Sequence, residues 1–379
     1  MRDRIKKLWH YHRNRRKPAH VTATIDATGN DVRVLCGPAS FQIRSPEHDL
    51  GQREHFDFVL FGLAAISMSR NMAISLDAPV SQAGVDTIKG IANLYELWSI
   101  PRLAPLRVEA RHVVEEPQPR KATGTALCLS GGTDSLAAAV ELKARGELTH
   151  GVLIAGFDYP DFTHPSFLDL RQRVQAQADL LGITLVTLET DIRATGVKWE
   201  LLHGLCLAMG LHYCAPLIGK AALAMDFTRG QDHIAHPWGS SIALTEKMGT
   251  ALLPMIPVGA EYGRTDKIGV LMREAPELVP HLSVCWQTDS GGSCGACPKC
   301  IRTRLNFIAA GGSEPDIFAQ KVSIIDALDG LAKPRKMSKI RNDLIFMVDI
   351  MQNLPEGDLR NAVARQVETL RRAYVGTMP

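Results

Sequence analysis

The sequence predicts an α/β protein built on a doubly wound parallel sheet, and three observations carry that reading. From Ala126 onward, short apolar runs alternate with helical segments, the pattern of successive β-α-β units. The first strand-to-helix junction of that region holds Ser130-Gly131-Gly132-Thr133-Asp134-Ser135. Near its end, Cys285, Cys294, Cys297 and Cys300 fall within 16 residues.

In chain order, residues 1–20 form a basic segment with eight Lys or Arg and one acid, Asp3. The whole chain of 379 residues carries only +3, so the body is mildly acidic. Residues 21–120 read as a small α+β domain. It has a hairpin turning at Gly29-Asn30, a buried helix over 55–71, a strand over 72–80, an amphipathic helix over 85–98 and an alternating strand over 106–114. A polar, Pro-containing linker over 115–125 follows. Residues 126–312 supply the alternating strands and helices. Residues 313–379 turn helical, with one helix ending at Pro355. A second shows Leu359, Val363, Val367, Leu370 and Tyr374 on one face, so a C-terminal helical hairpin is expected to pack on the body.

Composition excludes several classes. Hydrophobic residues make up 45% and charged residues 22%, ordinary for a soluble globular chain. No apolar run reaches the roughly 18–20 residues of a membrane span; the most apolar stretch, 201–225, is interrupted by His203, His212 and Lys220. No apolar segment follows the basic tip, as a signal peptide would require. A cytoplasmic, reducing location is therefore expected, where crowded cysteines bind metal rather than pair.

The 130–135 motif lies where an α/β sheet binds anions. Its glycines permit close backbone approach, and the following helix offers free N–H groups and the positive end of its dipole. Ser130 and Ser135 add hydroxyls. Asp134 would repel phosphate and is better suited to a magnesium ion or a loop amide. The motif is neither a Walker A loop nor a dinucleotide fingerprint, and the competing reading is a glycine turn with an ordinary helix cap. The four cysteines, spaced Cys-x8-Cys-x2-Cys-x2-Cys, suit a closed tetrahedral zinc site. Two disulfides or an iron–sulfur cluster are the alternatives. Lys299, Arg302 and Arg304 can offset the thiolate charge. Beyond the strand ending near Asp226, His233, His236 and Trp238 cluster in a Gly- and Pro-bounded loop. There they either meet a substrate or form an aromatic plug.

The six residues from Ser130 to Ser135 resemble the nucleotide loop of the PP-loop ATP pyrophosphatase superfamily, with its adenine nucleotide alpha hydrolase-like fold. Taken with the cysteine spacing and with Phe157-Asp158-Tyr159 at the end of the second apolar strand, residues 126–312 resemble 7-cyano-7-deazaguanine synthases. Pro160-Asp161 stands where that family has Gly-Gln. His236-Pro237-Trp238-Gly239-Ser240 stands where it has a Tyr-Pro-Asp-Cys-like loop. The extra N- and C-terminal segments look more like the synthase relatives encoded in anti-phage operons of the Qat and type IV CBASS kinds.

The resemblance implies an ATP-dependent C–N ligase. ATP and Mg²⁺ would bind at Leu129, Ser130, Gly131, Gly132, Thr133, Asp134 and Ser135, with Phe157, Asp158, Tyr159 and His164 beside the nucleotide. Ser130, Asp134, Ser135, Arg264 and Lys267 would serve the chemistry. Asp226, His233, His236 and Trp238 would hold 7-carboxy-7-deazaguanine, and Cys285, Cys294, Cys297 and Cys300 a structural Zn²⁺. The 264–267 segment could instead be a solvated helix start capped by Thr265. The expected reaction is adenylation of the carboxylate, amidation by ammonia, and conversion to the nitrile. One alternative passes the activated deazaguanine to a protein amine, with the N-terminal domain as the partner dock. Another is a non-catalytic nucleotide-binding subunit of a defence complex. The resemblance further implies a homodimer.

Overall fold

The computed structural model describes residues 17–51, 53–115, 122–234, 238–285, 292–331 and 337–375. Most of the basic tip, most of the anticipated linker, and His236 lie outside the described residues. The chain runs β1 (Ala19–Thr28), β2 (Asp31–Leu35), β3 (Phe41–Arg44), α1 (Asp57–Arg70), β4 (Met72–Ser81), α2 (Gln82–Trp98) and β5 (Val108–Val114). Next come β6 (Thr125–Cys128), α3 (Thr133–Ala144), β7 (Leu148–Ala155), α4 (Pro165–Leu181), β8 (Thr184–Thr190), α5 (Trp199–Tyr213) and β9 (Lys220–Ala224). The remainder is α6 (Arg229–Ile234), α7 (Ile242–Lys247), β10 (Met255–Val258), α8 (Arg264–Glu274), α9 (Pro298–Ala309), α10 (Ile324–Leu331), α11 (Met337–Asn353) and α12 (Asp358–Val375).

These strands join one sheet, ordered β10-β9-β6-β7-β8-β3-β2-β1-β4-β5. From β10 to β8 every neighbour is parallel. Side chains alternate between two cores, as strand periodicity requires. Leu127, Leu129 and Leu153 meet α3, α4 and α8 on one face. Ala126, Cys128 and Ile154 meet α5 and α1 on the other. With crossover helices on both faces, the order reverses between β9 and β6, and the crevice at that switch point is where ligands bind in such sheets.

The N-terminal segment, read from sequence as a unit of its own, adds its strands to this same sheet. β1 and β2 form the expected antiparallel hairpin, turning through Gly29 at φ +57°. β3 then pairs antiparallel with β8 through Ile43↔Thr190 and Arg44↔Glu189. Thr190 Oγ1 donates to Gln42 O at 2.6 Å and Arg44 pairs with Glu189 at 3.1 Å. Helix α1 contributes Phe61, Leu63 and Met68 to the same core as Leu205 and Met209 of α5. The junction between the segments is thus both hydrogen-bonded and packed.

The C-terminal helices α11 and α12 pair along the apolar stripe anticipated for them. Val363, Val367 and Leu370 are buried against Ile301 and Leu305 of α9 and Ile350 of α11. Asp349 of α11 accepts from Thr265 N at 3.0 Å and Thr265 Oγ1 at 2.7 Å. Those two bonds dock the hairpin onto the start of α8. No helix among the described residues is long and apolar enough to cross a membrane.

Candidate functional site

A cavity of about 580 Å³ opens at the β9/β6 switch point. Its floor is the turn from β6 into α3, where Ser130, Gly132, Thr133, Asp134 and Ser135 line it. Gly131 sits at φ +76°, a conformation that favours glycine, and a Cβ there would come 3.0 Å from Val174 Cγ2, a tight contact. Gly131 O accepts from Ser283 N at 2.9 Å and from Gln177 Nε2 at 3.3 Å. Ser135 Oγ donates to Gly132 O at 3.0 Å and accepts from Ser130 N at 3.3 Å. The loop is therefore fixed from behind, with the N-terminus of α3 directed at the cavity.

Asp134 engages cations on both oxygens. Arg264 donates to Oδ2, and Lys267 Nζ lies 3.2 Å from Oδ1. Burial would raise the Asp134 pKa, but Arg264 and then Lys267 outweigh it and hold the carboxyl below its ordinary range. Lys267 is 1% exposed and also donates to Met225 O. It thus supports Asp134 rather than lining the cavity. The solvated-helix reading of this segment is not what is observed: α8 is capped at Gly263, whose N–H donates to Asp266 at 3.1 Å, and Thr265 is buried against Asn306 and Asp349.

Arg264 does line the cavity, as does Arg302 of α9. Both guanidiniums stack on Phe346 of α11, at 4.8 and 4.2 Å from the ring centre. Asp343 lies 3.3 Å from Arg302 Nη1. Burial, then the charge of Arg264, lowers the Arg302 pKa to about 10, which still leaves it cationic at neutral pH. The Nε atoms of both arginines are buried without a hydrogen-bond partner among the described residues. Lys299 adds a third cation to the same wall.

A further stretch of wall comes from α5 and the turn after β9. Asp226 Oδ2 accepts from Trp238 Nε1 at 2.8 Å and from Ser240 Oγ at 3.1 Å, while Oδ1 lies 3.6 Å from Arg264. Of the residues singled out near this turn, Asp226 and Trp238 come together in the cavity. His233 is exposed on the short helix α6 and does not line it. Phe157, Asp158 and Tyr159, with Leu129, line a smaller adjoining cavity of about 70 Å³. Phe157 and Tyr159 are buried and Asp158 is exposed, 3.9 Å from Arg193. His164 caps α4 by accepting from Ser166 N at 3.3 Å, and stacks on Tyr159.

The four cysteines converge, with all sulfurs within 4.8 Å of one another. All eight cysteines of the chain are free thiols. Backbone N–H groups of Cys294, Cys297 and Cys300 point at the sulfurs of Cys285, Cys294 and Cys297, at 3.3, 3.3 and 3.4 Å. Such donors stabilise thiolates, and four thiolates in tetrahedral reach can hold a metal such as zinc. The cluster bridges two pieces of cavity wall, Ser283-Val284 on one side and Lys299, Arg302 and Thr303 of α9 on the other. Arg304, anticipated as a charge offset, binds Glu314 and donates to Gly295 O at 3.1 Å, bracing the turn between the cysteines.

Sequence reasoning did not place Phe346, Asp343 or Lys339 of α11, or His203 of α5, in the site. Helix α11 lies more than 200 residues from the loop, and no local pattern marks it as a wall. His203 carried a signal, as one of two histidines that interrupt the apolar stretch of α5. No protein-family model matches this chain, and no curated protein matches it.

Proposed function

We propose that this cavity binds ATP over the 130–135 loop and uses it to adenylate a carboxylate of the 7-deazaguanine kind, as a member of the PP-loop ATP pyrophosphatase superfamily would. The observation that carries the reading is the pair Arg264 and Arg302. Two cations share one aromatic ring, each with an Nε unpartnered among the described residues, beside a helix N-terminus. Such a pair calls for a polyanion, and arginine's fork geometry matches phosphate oxygens.

The residues present fit a nucleotide triphosphate. Backbone N–H groups after Ser130 would cradle its phosphates, with Arg264, Arg302 and Lys299 neutralising them. Magnesium fits less well as a ligand of the loop itself, because Asp134 already has Arg264 and Lys267 on its two oxygens. The ion would arrive with the nucleotide. Trp238 and Asp226 would face a planar heterocycle, the indole for stacking and the carboxylate to accept from ring N–H groups. The substrate carboxylate then attacks the α-phosphate and pyrophosphate leaves. Fixed donors and cations stabilise the developing charge, commonly the largest catalytic term. Ammonia displaces AMP to give the amide, and a second activation and dehydration give the nitrile. The four-cysteine cluster would carry zinc as a structural staple between the two wall segments.

The test is mass spectrometry of the purified protein with 7-carboxy-7-deazaguanine, ATP, Mg²⁺ and ammonia. Nitrile with AMP and pyrophosphate is the expected result. Mass added to a protein chain instead would move the acceptor to a protein amine. ATP left intact with this acid would overturn the adenylation reading and favour a nucleotide-binding subunit.

A further inference from the structure

His203, Ser240 and Asp226 form a hydrogen-bonded row along the cavity, in which His203 and Ser240 take no part in the adenylation step. His203 Nδ1 lies 3.1 Å from Trp199 O, its Nε2 lies 3.2 Å from Ser240 Oγ, and Ser240 Oγ lies 3.1 Å from Asp226 Oδ2. A carbonyl oxygen can only accept, so Nδ1 must carry a hydrogen. In the neutral ring Nε2 therefore keeps its lone pair. If Nε2 gains a proton it donates to Ser240 Oγ, and the single hydroxyl hydrogen of Ser240 then points to Asp226. With a neutral ring the one hydroxyl hydrogen can serve Nε2 or Asp226 but not both, so all three contacts of the row are hydrogen bonds at once only when His203 is protonated, with the Asp226 charge felt through the serine.

The backbone around the row is built to hold it. A Cβ on Gly204 would fall 1.6 Å from Gly239 O, and a Cβ on Gly239 would fall 2.6 Å from His203 Nδ1. Two glycines thus let α5 and the 238–241 turn approach closely enough to set His203 against Ser240. Trp238 packs edge-on to the imidazole with ring centres 5.2 Å apart. His203, Ser240 and Asp226 all line the cavity that the 130–135 loop floors.

We infer that His203 is the general base for the amine attacking the adenylated carboxylate, taking its proton through the Ser240 hydroxyl, with Asp226 as a positioning residue that stabilises the resulting imidazolium. The inference rests on the adenylation reading above and assigns its second half-reaction. The amine nitrogen forms the new C–N bond and the acyl C–O bond to AMP breaks, its electron pair leaving with the phosphate. One N–H proton passes to Ser240 Oγ as the Ser240 hydrogen passes to His203 Nε2, giving amide, AMP and protonated His203. Burial holds the His203 pKa below its ordinary value, partly offset by Asp226, so the ring is neutral and able to accept at pH 7. The charged groups facing it are Asp226, with Arg264 beyond, and Asp158, paired with Arg193; on its own helix Glu200 lines the same cavity.

The test separates the two half-reactions in the full chain. ATP–pyrophosphate exchange driven by 7-carboxy-7-deazaguanine reads adenylation. Amide formation with ammonia, and hydroxamate formation with hydroxylamine, read transfer. Hydroxylamine is weakly basic and sheds its proton to water after attack, so it needs no base from the protein. His203→Gln is expected to keep exchange, keep hydroxamate formation within a few-fold, and lower ammonia transfer by about 10²–10⁴-fold. It should also remove the acid limb that the transfer rate shows when expressed per unprotonated ammonia. Ammonia transfer within a few-fold of the unaltered protein overturns the inference, as does loss of exchange in a folded variant. If His203→Gln does not fold, Ser240→Ala decides: slowed ammonia transfer with intact exchange supports the relay, and unchanged transfer refutes it. No exchange in the unaltered protein strikes at the adenylation reading itself, a distinct failure.

Discussion

Asp134 and Lys267 meet across 133 residues of chain, with Lys267 Nζ 3.2 Å from Asp134 Oδ1, and the lysine is almost wholly buried. Arg264 takes the other carboxylate oxygen. This ties the first turn of α3 to the first turn of α8, and so fixes the loop against the wall that carries the arginines. Removing the carboxylate would strand two buried cations. Asp134→Ala is expected to cost about 3–5 kcal/mol of stability, the usual result of breaking one side of a buried ion pair. Urea denaturation checks it, and a change below 1 kcal/mol would show that the pair is not formed. Loss of turnover in that variant must therefore be read beside its folded fraction.

His212 supplies a pH dependence away from the cavity. Its ring stacks on Phe61 at 4.5 Å and meets Met248 O at 2.8 Å, and burial lowers its pKa to about 4. In the unfolded chain the ring titrates near 6.5. The neutral ring is favoured by the fold, so its contribution is complete above about pH 6.5. That contribution falls as pH drops toward 4, because the unfolded state takes up the proton first. The full difference is about 3 kcal/mol. His212→Gln, which can still donate to Met248 O, should flatten the stability profile between pH 4 and 6.5. Parallel profiles for the two proteins would refute the assignment.

The parts of the site visible in the sequence were those written in short spacing. Ser130 to Ser135 after an apolar run gave the loop and its place on the sheet, because a strand-to-helix junction has a local signature. The four cysteines did the same for the cluster. The pairing of β3 with β8 was not visible, since two register pairs between segments nearly 150 residues apart leave no periodicity to read. Nor was the role of Arg302. Beside a cysteine cluster it looked like a counter-charge, yet the helical turn of α9 directs it at Phe346 and the cavity. His164 and His233 looked like site residues by proximity in sequence, and the backbone gave one to a helix cap and the other to the surface.

The cysteine cluster makes a prediction about composition and rigidity. Purified protein is expected to carry one zinc ion per chain by elemental analysis, with no visible absorption of the kind an iron–sulfur cluster gives. Because the cluster joins Ser283-Val284 to α9, stripping it with a strong chelator should lower the melting temperature and weaken nucleotide binding together. Cys300→Ala should do the same without chelator. A metal-free protein with unaltered stability would refute the staple.

Arg302 offers the sharpest separation of stability from binding. Its burial and the neighbouring charge of Arg264 both oppose its cationic form, and Asp343 and the face of Phe346 only partly compensate. A residue held in that way contributes little net folding free energy, since desolvation offsets the pairing gained. Its Nε meets no acceptor among the described residues. Arg302→Met keeps the stem packed on Phe346 while removing the charge, and Asp343, with a third of its side chain exposed, can hydrate once unpaired, so folding stability should change by less than about 1 kcal/mol. ATP affinity should fall by about 10–100-fold, the loss of a charge-assisted contact worth about 1.5–3 kcal/mol. Titration calorimetry and thermal melts on the same preparation measure both. Unchanged ATP affinity would mean that the arginine pair does not meet the phosphates, and a large loss of stability would mean that it is a structural pair instead.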